Sequence, residues 1–113
     1  METITLYRPV GIAELALIEK TDWREFPPRL PEQPIFYPVL NEEYAIQIVR
    51  DWNAKFEGAG FITKFEVKAD FISQYEIQIV GGSIYQELWI LADYLPEFNR
   101  NIIGKIKVIK EFN

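Results

Sequence analysis

The chain has 113 residues, 49% of them hydrophobic, with 3 Trp, 6 Tyr and 8 Phe, a formal net charge of −5, and neither Cys nor His. A domain of this length buries roughly 65% of the surface its unfolded chain exposes, so the composition fits one globular domain over residues 1–113 and excludes disorder. The acidic balance is the wrong sign for gripping nucleic-acid backbones; without Cys there are no disulfides or thiol nucleophiles, and without His the usual general base and commonest metal ligand are missing.

Any chemistry therefore rests on Glu, Asp, Arg, Lys, Tyr, Ser or Thr, and no metal is expected. No run of 18 apolar residues and no signal-peptide pattern is present, so a soluble, cytoplasmic protein without membrane association is expected.

Residues Thr3 to Arg8 alternate and are rich enough in β-branched residues for a strand, which Pro9 and Gly11 should end. Ile12 to Lys20 has helical spacing, with Glu14 in its first turn and Lys20 in its last, as the helix dipole favours. Thr21 to Pro34 carries four prolines, enough to exclude a regular element, and reads as a long stiff loop pinned by Trp23, Phe26 and Leu30.

Ile35 to Val39 reads as a strand, at a sheet edge or strand end because Pro38 cannot donate to a ladder. Asn41 is a good helix cap, Glu42 and Glu43 suit a first turn, and Tyr44, Ala45, Ile48, Val49 and Trp52 recur at three- and four-residue intervals as a core-facing stripe. This helix should end near Phe56, before Gly58 and Gly60.

Phe61 to Val67 alternates apolar and charged residues as a strand with one wet face. Asp70 is placed to cap a helical turn through Tyr75. Glu76 to Val80 and Ser83 to Leu91 read as a hairpin joined by Gly81-Gly82, a pair able to take positive φ. Ala92 to Asn99 reads as a helical turn interrupted at Pro96, and Lys105 to Phe112 as a final strand. The sum is an α+β fold: a mostly antiparallel sheet of about five or six strands, with two or three helices mainly from the N-terminal half.

Three residues stand out as candidates for chemistry. Glu87 interrupts IYQELWIL, which is otherwise apolar on both faces, so its carboxylate must find donors, face a cleft or keep a proton. Its face also carries Tyr85 and Trp89, which suits an aromatic cleft holding one acid; an exposed position or a structural ion pair is the plainer alternative. Arg8, ahead of the Pro-Val-Gly turn, is suited to hold a phosphate or carboxylate, or else to pair with one of the 17 acidic residues. Tyr37 lies beside the N-terminus of the Asn41 helix, either receiving a ligand or packed in the core. Arg24 and Arg29, in the proline loop, read as solvated, and Glu42 and Glu43 as capping residues.

In LYRPVGIAELALIEK, FPPRLPEQPIFYPVLNEEYA and QELWILADYLPEFNRNIIG the chain resembles a family of small bacterial proteins that carry an ADP-ribosylation/crystallin-type label. The resemblance covers nearly the whole chain. Taken literally the label implies a long, helical, two-magnesium ADP-ribosylglycohydrolase, but Asp22, Asp51, Asp70 and Asp93 are the only aspartates and are scattered. Neither magnesium nor hydrolysis is carried over.

The chain is also distantly similar to the ADP-ribosyltransferase superfamily, whose order is a basic residue on an early strand, a Ser or Tyr on a second and a Glu on a late one. Arg8, Tyr37 and Glu87 follow that order. The likeness implies NAD as ligand: Arg8 would contact the ribose or phosphate on the nicotinamide side, Tyr37 would lie near nicotinamide, and Glu87 would orient the ribose and stabilise its oxocarbenium-like transition state. Tyr37-Pro38-Val39 replaces the Ser-Thr-Ser of an arginine-first transferase, and Tyr85 replaces the Gln or Glu two residues before the catalytic acid, so binding without transfer stays open. A non-catalytic module meeting a protein partner or a second copy through its aromatic residues is the competing expectation.

Overall fold

The computed structural model describes the backbone of all 113 residues and every side chain except that of Phe56. In chain order the elements are β1 (Thr3–Val10), α1 (Ile12–Glu19), β2 (Ile35–Phe36), α2 (Glu42–Ile48), a π-helical turn (Val49–Asn53), α3 (Ala54–Glu57), β3 (Gly60–Lys68), α4 (Ala69–Ile72), β4 (Gln78–Ile79), β5 (Gln86–Glu87), β6 (Ile90–Leu91), a 3₁₀ turn (Ala92–Tyr94), α5 (Leu95–Arg100) and β7 (Ile102–Phe112). The fold is α+β, and all its strand pairings are antiparallel.

The frame is a three-stranded sheet in the order β1-β3-β7, with β2 paired to β6 and β4 to β5 as short ribbons. Alternation in the first strand puts Leu6 opposite Phe65 on one face, while Pro9 lies opposite Ile62 on the other. The strand runs past Arg8 through Pro9 to Val10. Tyr7 donates and accepts across to Val39, so the nitrogen of Pro9, two residues on, points to that same side and no β3 hydrogen bond is lost. In β7, Gly104 takes a φ of +77° where the register with β3 slips, a bulge conformation that L side chains resist.

One face of the sheet carries the larger core. Phe26, Phe36, Phe65 and Phe98 interlock with ring centroids 4.8 Å apart for Phe26–Phe65, 5.0 Å for Phe26–Phe36 and 5.3 Å for Phe36–Phe98. Leu6, Val10, Ile18, Leu88, Ile90 and Leu95 fill in around them. The proline loop is irregular, as its composition dictates, and is pinned by buried Phe26 and part-buried Trp23; Leu30 is instead 55% exposed.

The other face carries a smaller cluster of Val39, Ala45, Val49 and Ile62 beneath α2. Asn41 caps α2 by accepting from the Tyr44 N–H at 2.8 Å and donates its side-chain amide to the Ile84 carbonyl. The π-helical turn widens the helix by one residue, so Asn53 turns inward and Trp52, expected in the core, turns out to 61% exposure. Gly60 permits the close pass of β3 under this turn, since a Cβ there would meet Val49 Cγ2 at 2.2 Å.

The second half differs in detail from the sequence expectation. Ser83 to Leu91 is not one strand: β5 pairs with β4, and β6 crosses to β2. The hairpin link is longer than Gly81-Gly82, because Val80 donates to Tyr85 and Tyr85 to Gly82, closing a loop around both glycines. Asp70 lies inside α4 rather than capping it, and Pro96 sits in the first turn of α5, where its missing N–H costs nothing, so it starts that helix instead of interrupting it. Among the described residues no helix is long and apolar enough to cross a membrane.

Candidate functional site

Val39 is the joint from which the site is built. It exchanges hydrogen bonds with Tyr7 at 2.8 and 2.9 Å, and the residues on either side of it tie to β5 and the residue that follows it, Leu40 N–H to Gln86 at 3.0 Å and Leu88 N–H to Pro38 at 2.9 Å. Val39 thus bridges β1 and β5. One joint sets the spacing of all three candidates: Arg8 follows Tyr7, Tyr37 is two residues before Val39, and Glu87 lies opposite it.

Around this joint opens a cleft of about 1190 Å³, somewhat above the usual range of about 300–1,000 Å³ for ligand pockets. Arg8, Tyr37 and Glu87 all line it. One wall is α1 with Pro27 to Leu30; the other is Tyr44, Ile48 and Trp52 of the capped helix. Hydrogen bonds do not join the three candidates to one another among the described residues; each end of the cleft has its own partners.

At one end, Glu87 Oε2 accepts from the Tyr44 hydroxyl at 2.8 Å and Oε1 from the Trp89 indole N–H at 2.7 Å. The acid has found donors and also faces a cleft. Both donors are neutral, so they fix the carboxylate without cancelling its charge. Burial, and after it the hydrogen bond to Glu87, pushes the Tyr44 hydroxyl up to about 12, which keeps it a donor. Tyr44 also packs on Tyr85 at 5.1 Å. Of the stripe expected to be core, Tyr44 and Ile48 pack against the smaller cluster while also lining the cleft, and Trp52 lines it from an exposed position.

At the other end, Arg8 is 8% exposed and its guanidinium takes Glu14 in a two-point grip, Nε to Oε2 at 2.7 Å and Nη2 to Oε1 at 3.0 Å. Its Cζ sits 4.6 Å from the centroid of Phe36. Glu14, read from sequence as a favourable first-turn acid, is also this partner. Arg8 thus has its ion pair, as the plainer reading allowed, but in a buried form.

Arg29, like Tyr44, is a site residue that sequence reasoning missed. The proline loop does not leave it solvated: its side chain is 11% exposed, 3.9 Å from Glu14 and 6.0 Å from the Phe36 ring, while Arg24 is indeed exposed and pairs loosely with Asp22. Arg29 Nε is buried without a hydrogen-bond partner. Burial, and next the neighbouring Arg8 charge, lowers the pKa of this guanidinium. The only sequence signal was its place two residues after Phe26-Pro27, where the chain must turn inward.

Tyr37 is 41% exposed and lines the cleft near Arg29. Among the described residues, no three or more carboxylates converge as metal ligands would. Comparison with family models, with curated proteins and with solved structures finds no match to this chain.

Proposed function

We propose that this is an ADP-ribosyltransferase-like domain whose cleft receives NAD or a related nucleotide, with Glu87 as the catalytic carboxylate and Arg8 and Tyr37 on the nucleotide. The observation that carries the reading is that these three residues, 79 positions apart at the extremes, line one cleft. A shared ligand pocket requires that convergence.

The reaction implied is loss of nicotinamide from the ribose, which builds positive charge on the sugar. Glu87 is suited to meet that charge: it is a carboxylate anchored at both oxygens by Tyr44 and Trp89, with lone pairs left over for ribose hydroxyls. Trp89 and Tyr37 offer flat apolar faces beside it, 45% and 41% exposed. Arg8, its fork engaged by Glu14, lines the nucleotide's end of the cleft with its charge largely compensated.

The test is thermal unfolding with NAD and ADP-ribose. At 100 times the dissociation constant a ligand adds about 2.7 kcal/mol. Stabilisation by both ligands, with Glu87→Gln still bound by ADP-ribose but unable to release nicotinamide from NAD, is the expected result. A folded sample that shows no shift at millimolar ligand sinks the reading.

The second reading is a protein-interaction module, favoured by the apolar rim of Leu30, Trp52 and Trp89, all at least 45% exposed. Under it, Trp89→Ala weakens association measured by light scattering while Glu87→Gln changes nothing.

A further inference from the structure

The geometry points to an anion subsite at the Arg8 end of the cleft, in which Arg29 supplies the contact to a phosphoryl group of the bound nucleotide. The inference rests on the nucleotide reading and deepens it by naming where the phosphate charge sits.

Two guanidiniums share one carboxylate here. Glu14 spends both oxygens on Arg8 at 2.7 and 3.0 Å, and its approach to Arg29 Nη1, 3.9 Å, is too long for a hydrogen bond. Both cations also lie over the same buried ring, Phe36, at 4.6 and 6.0 Å. The charged neighbours of Arg29 are Arg8 and Glu14. Glu57, another carboxylate of the cleft, is turned to Asn53 and Gly11 instead. Arg29 is thus left with a surplus positive charge and a buried donor, Nε, with no hydrogen-bond partner.

A buried unpartnered donor is costly, and a buried cation without a full counter-charge is costlier. A water molecule satisfies the donor but leaves the charge. A phosphoryl group at the outer guanidinium nitrogens supplies the missing counter-charge, because a guanidinium presents parallel N–H groups at the spacing of its oxygens. The proline loop suits this role: its four prolines hold the Arg29 backbone without help from a sheet, so the guanidinium is positioned before the ligand arrives.

The experiment uses inorganic pyrophosphate, NAD and nicotinamide riboside as probes, titrated at constant ionic strength into the wild-type chain and Arg29→Gln. Pyrophosphate and NAD are expected to bind the wild type and to lose about tenfold or more in affinity in Arg29→Gln, the loss of one charge-assisted hydrogen bond. Nicotinamide riboside, which carries no phosphoryl group, is expected to bind both chains equally. In parallel, the ¹H–¹⁵N NMR signal of Arg29 Nε in the wild type should move on adding pyrophosphate, which keeps the test open if Arg29→Gln does not fold.

Equal pyrophosphate affinity in both chains, no pyrophosphate binding to the wild type, or an Arg29 Nε signal that stays fixed while pyrophosphate binds, each overturns the inference. NAD binding that is indifferent to Arg29 overturns it while leaving the nucleotide reading intact. Arg29-dependent pyrophosphate binding without any NAD response supports the anion subsite and removes the nucleotide reading.

Discussion

The two ends of the cleft solve the same problem, a charge held out of bulk water, in opposite ways. At the Glu87 end one carboxylate takes two neutral donors, one on each oxygen, and the negative charge stays available. At the Arg8 end two cations compete for one carboxylate, and a buried nitrogen of Arg29 is left without a hydrogen-bond partner. The first arrangement orients a charge; the second leaves a demand for an anion. A ligand with a phosphate at one end and a developing cation at the other matches both.

That contrast makes the two ends unequal under mutation. Glu14→Gln should be the more damaging change, because it strips the shared counter-charge from two guanidiniums that are about nine-tenths buried. A loss of about 3 kcal/mol in denaturant unfolding is expected; a loss under about 1 kcal/mol would mean that the pair is solvated in solution and the contrast is false.

Tyr44→Phe, at the other end, should cost about 1 kcal/mol, since one hydrogen bond is removed and Glu87 keeps the Trp89 donor. It also sharpens the electrostatics. The Tyr44 hydroxyl is raised from its ordinary 10.0 to about 12 in the folded chain. A raised pKa favours the folded state while the group is protonated, so this contribution is fully present below pH about 10 and is lost as pH climbs toward about 12. Absorbance titration at 295 nm should lose its latest tyrosinate component in Tyr44→Phe. Loss of a component that titrates near 10 instead would show that Tyr44 is neither buried nor held by Glu87.

Much of the frame was legible because it rests on periodicity. Alternation found β1, β3 and most of β7, and Asn41 with its acidic first turn marked the helix start. The errors fall where tertiary partners decide. Ser83 to Leu91 carries a continuous β-forming pattern, yet Val39 holds β5 and β2 draws off β6, so the pattern is split between two ribbons. Trp52 left the core because a π-helical turn, which has no simple sequence mark, shifted the helix phase by one residue.

The site was half legible for the same reason. Glu87 could be picked out because a carboxylate in an apolar run demands an explanation, and Arg8 because of the turn that follows it. Tyr44 looked like one more core residue of an amphipathic helix, and only the β5 contact reveals that it holds the acid. Arg29 sat in a loop that composition marks as irregular, and an irregular backbone gives no rule for where a side chain points.

The most direct measurement of the central claim is a crystal structure with ADP-ribose bound. The account predicts the nucleotide in the cleft, with a phosphate oxygen about 2.7–2.9 Å from the Arg29 guanidinium and a ribose hydroxyl donating to Glu87. A nucleotide seated elsewhere, or one in the cleft with its phosphates turned away from Arg29, would contradict it.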